Sequence, residues 1–248
     1  MLAESSAEGD EKYMIWDFPY DSPLAIAELL QEHGYAMTKK FGQNFLISPS
    51  ARQRLAEAIV TEDRQRIWEV GPGIGALTVL LLQRHVQLTA FEIDYGFCSI
   101  LRERVCVDEP GFTLVEGDVL KTWMCVHERE GTPDVICGNL PYNIGSICIA
   151  RFLESQCHPK RMVFTLQKEV GERMAAKEGS KLWSTLSILA QIDYSVRFLF
   201  TIKGGSFFPP PNVDSIVLQM DRRAQPLVPA SDRVLFLELI SDLFAQRR

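Results

Sequence analysis

Short apolar runs and helical stretches alternate from residue 67 to residue 220, and this alternation constrains the fold more than any other feature of the chain. The runs at 67–70, 87–93, 112–115, 135–137, 162–166, 196–202 and 213–220 are rich in Val, Ile, Leu and Phe, which suits strands. Helical patterns at 76–84, 95–105, 145–154, 168–176 and 181–191 lie between them. Strands joined by helices pair in parallel, because the helix carries the chain back across the sheet. The expectation is an α/β fold with a seven-stranded, mostly parallel sheet covered on both faces. The last two runs are joined only by a loop at 204–212, so they are expected to pair antiparallel at one side of the sheet.

Two helices are expected ahead of the sheet. Ser22 can cap the first, with Pro23 in its first turn and Gly34 at its end. Ser48 and Pro49 start the second, about 49–60. The stretch 38–47 between them shows no period and reads as either a packed connector or a lid. Residues 1–20 read as an acidic, flexible leader and 21–221 as the main folded domain. Past Met220 the composition shifts. Residues 222–248 read as a linker and one greasy helix, about 232–245, the expected start of a small helical C-terminal domain that is cut short.

Charge excludes little once it is located. The net charge is −6, but residues 1–32 hold eight acids and one base, so the body is close to neutral. Basic pairs at Lys39-Lys40, Lys160-Arg161, Arg222-Arg223 and Arg247-Arg248 are ordinary solvated surface unless a partner engages them. No run is long enough to cross a bilayer, and the N-terminus lacks the pattern of a secretory or mitochondrial signal. Six cysteines without a C-x-x-C pair, and scattered histidines, argue for reduced thiols, a cytoplasmic location and no metal site.

Chemistry-bearing residues fall at the ends of the strand runs. The first run leads into Glu69-Val70-Gly71-Pro72-Gly73-Ile74-Gly75 and then a helix, a turn that lets a ligand approach the backbone at Gly71 and Gly73. Glu92 ends the second run, about twenty residues after Gly71, the spacing at which a carboxylate meets a ribose. Asp118 follows the third and can reach an adenine amine. The G-x-G-x-G spacing departs from the dinucleotide fingerprint, and no Gly-Lys-Ser/Thr marks a P-loop. Together these positions favour S-adenosylmethionine over a nicotinamide cofactor.

After the fourth run stands Asn139-Leu140-Pro141-Tyr142. Alone, that pattern marks a turn. Beside a cofactor site it suits a flat nitrogen base: an amide oxygen and a backbone carbonyl accept from an exocyclic NH₂, and the Tyr142 ring stacks on the base.

An ordered series of motifs resembles the rRNA adenine N6,N6-dimethyltransferases, in particular the small-subunit (KsgA/RsmA) type. The series is Lys39-Lys40-Phe41-Gly42-Gln43-Asn44-Phe45-Leu46, the stretch 69–75, Glu116-Gly117-Asp118, the stretch 139–142, Gln167-Lys168-Glu169-Val170, the stretch 207–215 and Phe244-Ala245-Gln246-Arg247-Arg248. The resemblance implies a Rossmann-like class I methyltransferase that dimethylates two adjacent adenosines near the 3′ end of small-subunit rRNA. It implies cofactor contacts at Asn44, Leu46, Gly71, Gly73, Glu92, Asp118 and Asn139. Leu140 and Pro141 would shape the catalytic turn, Tyr142 would stack on the target base, and Phe207 would close its other face. Implied partners are small-subunit rRNA and the pre-30S ribosomal particle, met as a monomer, with Lys39-Lys40 and Arg222-Arg223 touching phosphates. Two alternatives stay open on this fold, a large-subunit (23S) dimethyltransferase of the macrolide-resistance type and a non-catalytic assembly or transcription factor. Leu140, the Phe-x-Pro-x-Pro-x-Val-Asp-Ser run and the closing Ala-Gln-Arg-Arg favour the small-subunit type.

Overall fold

A computed structural model describes residues 17–34, 44–106, 108–142 and 144–245. Residues 1–16 of the expected leader, Lys39-Lys40, Gln43 and Arg247-Arg248 lie outside these. Two capped helices come first, α1 (Pro23–Glu32) and, after the two-residue strand β1 (Phe45–Leu46), α2 (Pro49–Ile59). Ser22 and Ser48 accept from the backbone N–H three residues on, which satisfies a donor that the first helical turn cannot.

The alternating region then runs β2 (Arg66–Val70), α3 (Thr78–Leu82), β3 (Gln87–Glu92), α4 (Tyr95–Ile100), β4 (Phe112–Glu116), α5 (Val119–Glu130), β5 (Val135–Asn139), α6 (Gly145–Glu154) and β6 (Arg161–Gln167). It closes with α7 (Lys168–Met174), α8 (Thr185–Asp193), β7 (Tyr194–Ile202), β8 (Phe207–Phe208), β9 (Ser215–Arg222) and α9 (Arg233–Ala245). The main sheet has seven strands in the order β4-β3-β2-β5-β6-β9-β7. The five from β4 to β6 are parallel, and β9 pairs antiparallel with both β6 and β7, as expected for the last two runs.

Period-two alternation builds two cores. Ile67, Val135, Cys137, Val163 and Val217 point to the face covered by α1 to α4. Trp68, Val70, Ile136, Met162, Phe164 and Leu218 point to the other, against α5, α6 and α8. Trp68 is buried there against the edge of Phe91, with centroids 5.3 Å apart. A ring of that size contributes about 3 kcal/mol or more by leaving water.

Three elements differ from expectation. Helix α5 is absent from the periodic reading although Val119, Leu120, Trp123 and Val126 recur at helical spacing on its packed face; Asp118 caps it. The helix expected over 95–105 is α-helical only to Ile100 and continues as a π turn, Leu101–Val105. The aperiodic stretch before α2 holds β1, which pairs antiparallel with β8, matching Phe45 to Phe208 and Leu46 to Phe207. A two-residue strand whose partner is so distant in sequence leaves no period to read.

Candidate functional site

Strand order places the site. The connections from β2 run outward through β3 to β4, and those from β5 run the other way to β6. The chain therefore reverses between β2 and β5, and a crevice opens beyond their carboxyl ends, the usual ligand position in open α/β sheets. The Gly71 turn leaves β2 at that point and the Asn139 turn leaves β5.

A cavity of about 390 Å³ lies there. Its lining includes Asn44, Leu46, Gly71, Gly73, Glu92, Asp118, Asn139, Leu140, Pro141 and Tyr142. Residues from five separate stretches thus meet in one space. Gly71 and Gly73 have φ of +69° and +58°, a conformation that L side chains adopt at a cost.

Glu92 is 5% exposed and held by both oxygens. Its Oε2 accepts from Gly73 N–H and its Oε1 from Asp94 N–H, each at 2.9 Å. Burial raises its pKa to about 7, with those backbone bonds pulling the other way. Asp118 Oδ1 accepts from Leu120 N–H at 3.0 Å, so one oxygen caps α5 while the residue borders the cavity. Exposed Ile93 and half-buried Leu120 supply an apolar flank between these acids.

The Asn139 side chain donates from Nδ2 to the Asn44 carbonyl at 3.0 Å. With its NH₂ engaged, an asparagine offers its Oδ1 to a second partner. The turn after it is fixed by Pro141, whose carbonyl accepts from Ile144 and Gly145 N–H at 3.1 and 3.0 Å and so starts α6. The Tyr142 hydroxyl shares a 2.6 Å hydrogen bond with Ser215 Oγ, and partial burial raises the phenol's pKa.

One expected site residue stands elsewhere. Phe207 is 2% exposed, packs in the core on the α1–α4 face and does not line the cavity. Its backbone pairs with Leu46, so the ring turns inward under the loop that carries Leu46. Arg222 and Arg223 also lie away from the cavity. Asp221 is opposite Arg161, at the start of β6, which puts the pair at the other rim of the sheet. Their guanidiniums donate to the carbonyls of His158 and Gln191.

Sequence reasoning assigned no role to Glu69, Arg52 or Ser215. Glu69 is 1% exposed, accepts from the Thr78 hydroxyl at 2.8 Å, and is driven by burial to a pKa of about 8. The spacing Glu69…Thr78 carries no strand or helix period, which is why the pair was not legible. Among the described residues no cluster of His, Cys, Asp and Glu is suited to a metal ion.

Residues 35–248 match the model of the family described as ribosomal RNA adenine dimethylase. The chain belongs to that family. A ribosomal RNA small subunit methyltransferase A from Treponema denticola is 42% identical over 230 residues, covering 92% of this chain and 78% of the relative. One from Borreliella afzelii is 38% identical over 229 residues, covering 92% and 79%. Among solved structures, a dimethyladenosine transferase from Plasmodium falciparum superposes with a TM-score of 0.70 at 27% identity, over 81% of this chain and 70% of that one. The 23S rRNA methyltransferase ErmE gives 0.66 at 26% identity, over 80% and 78%. The chain therefore has a Rossmann-like class I methyltransferase fold, and the cavity occupies the crevice that such a sheet opens.

Proposed function

We propose that this chain uses S-adenosylmethionine to dimethylate the N6 amine of adenosines in small-subunit rRNA, two adjacent ones near its 3′ end. The observation that carries the reading is the shared cavity. Glu92, Asp118 and the Gly71 turn, which suit the cofactor, open into the same space as the Asn139–Tyr142 turn, which suits the base. The identity to two small subunit methyltransferases A, 42% and 38%, favours the small subunit over the large one.

The residues present fit the cofactor. A carboxylate has about four acceptor positions, so Glu92 retains capacity for ribose hydroxyls beside its two backbone N–H bonds. Asp118, with Ile93 and Leu120, suits the adenine, and the open backbone at Gly71 and Gly73 suits the amino-acid end. When bound, S-adenosylmethionine supplies an electrophilic methyl on a sulfonium.

The protein's own part is to prepare the amine. The N6 lone pair is delocalised into the ring and is a weak nucleophile. Asn139 Oδ1 and the Leu140 carbonyl accept the two amine hydrogens, since the Pro141 carbonyl is occupied by α6. That draws the nitrogen toward a tetrahedral shape with its lone pair directed at the methyl, an orientation effect worth several kcal/mol. Tyr142 stacks on the flipped base and replaces stacking lost from the RNA. No general base is needed before attack, because the nitrogen sheds its proton once it has become cationic. Cytoplasmic location, action as a monomer on a pre-30S particle, and a catalytic unit over 21–221 followed by a linker and helix over 222–248 complete the reading.

The test is incorporation of labelled methyl groups into purified 30S and 50S particles from cells lacking the modification. The expected result is dimethyladenosine in the 30S particle alone. Labelling confined to 50S particles would transfer the reading to the large-subunit type, and cofactor binding without transfer to either would leave a non-catalytic factor.

A further inference from the structure

Helix α2 turns Leu55, Ala56 and Ile59 into the core, all fully buried. Arg52 stands on that same face, at helical spacing from them, and is only 8% exposed. A guanidinium in that position loses its hydration and has to be met by an anion or by acceptors. Yet among the described residues its buried Nε has no hydrogen-bond partner and Arg52 forms no ion pair. Asp21 acts on it without an ion-pair contact. What Arg52 has is an aromatic brace. Its Cζ lies 5.4 Å from the centroid of the Tyr20 ring, and the Tyr20 hydroxyl donates to the Ile74 carbonyl in the glycine turn.

This braced cation lines the cavity. The other charged side chains lining it, Glu69, Glu92 and Asp118, are acids, so Arg52 is the one cation among the described residues there. Its place along the cavity follows from packing. Asp118 follows β4, at the outer edge of the sheet, whereas the Tyr20 ring that braces Arg52 is tied to Ile74 in the glycine turn after β2. Arg52 therefore stands by the glycine turn, which suits the amino-acid end of the cofactor, and Asp118 by a separate strand end.

We propose that Arg52 holds the α-carboxylate of S-adenosylmethionine and so fixes the direction in which the cofactor lies along the cavity. The inference rests on the cofactor reading above. That ligand carries one anionic group, at the end remote from its adenine. With adenine at Asp118, the carboxylate arrives where the braced guanidinium waits, and it takes up the Nε donor left unmet among the described residues. A guanidinium suits this better than an ammonium would, because its planar fork matches a carboxylate through two parallel bonds.

The test compares two ligands that differ only in that group, S-adenosylmethionine and decarboxylated S-adenosylmethionine, by equilibrium dialysis against the full chain and Arg52→Gln. Losing a charge-assisted bond should weaken S-adenosylmethionine about tenfold to a hundredfold in Arg52→Gln, while the decarboxylated ligand binds both chains alike. Arg52→Lys should fall between, and it gives the same comparison if the Gln variant does not fold. Equal loss of both ligands, or loss of neither, overturns the inference, since a purely structural Arg52 would not distinguish them. Failure of the unaltered chain to bind S-adenosylmethionine at all would overturn the cofactor reading and this inference with it.

Discussion

Asn139 reaches across 95 residues of sequence to donate its side-chain NH₂ to the backbone carbonyl of Asn44, at 3.0 Å. The bond joins the turn after β5 to the residue just ahead of β1. It closes one wall of the cavity and orients the amide at the same time.

Asn139→Ala should therefore lower single-turnover methyl transfer by about a hundredfold, the usual loss when an orienting group is removed. Affinity for the cofactor should fall only a few-fold by comparison, because Glu92, Asp118 and the glycine turn remain. Methyl transfer at an unaltered rate would remove Asn139 from the chemistry.

The bond of Tyr142 to Ser215 and its proposed stacking on the base can be separated by substitution. Tyr142→Phe gives up the bond to Ser215 but keeps the ring, a net change of about 1 kcal/mol. Tyr142→Ala also gives up stacking, worth about 1–3 kcal/mol per base. Ser215→Ala should match the Phe variant, and the Ala variant should raise KM for RNA well beyond either. Equal KM values for Tyr142→Phe and Tyr142→Ala would show that the ring does not stack on the substrate.

Buried Glu69 and Glu92 make stability depend on pH. Their folded pKa values, about 8 and about 7, lie above the ordinary carboxyl value of 4.5, so in that interval the folded chain holds protons that the unfolded chain has released. Their stabilising contribution is complete below 4.5 and is lost as pH rises through 7 and 8. The urea midpoint should fall over this range, and Glu69→Gln, which can still accept from Thr78, should flatten the upper part of the decline. A midpoint that rose across the range through these groups would contradict their burial as neutral acids.

Arg233, at the start of α9, pairs with Asp193 at the end of α8 and also donates to the Leu153 carbonyl at 2.6 Å. The Asp193 side chain is 6% exposed, so removing its partner strands a charge. Arg233→Ala should cost about 3 kcal/mol or more, measured by urea unfolding, whereas Arg197→Ala, at an exposed pair with Asp221, should cost under about 1 kcal/mol. Similar losses for the two variants would deny the first pair its buried character.

The sequence by itself determined the layer order of this protein. Local rules were enough: apolar runs of strand length set the sheet, Ser-Pro caps started α1 and α2, and acids and glycines at strand ends marked the cavity lining. Tertiary structure alone decided the contacts between positions far apart in the chain. It turned Phe207 inward by pairing it with Leu46, sent Arg222 and Arg223 to the far rim, and set Arg52, braced by Tyr20, against the cavity. The physical reason is that periodicity records which face a residue presents within its own element. Which element then faces it is fixed by strand order and loop closure, and those depend on the energy of the whole packed chain.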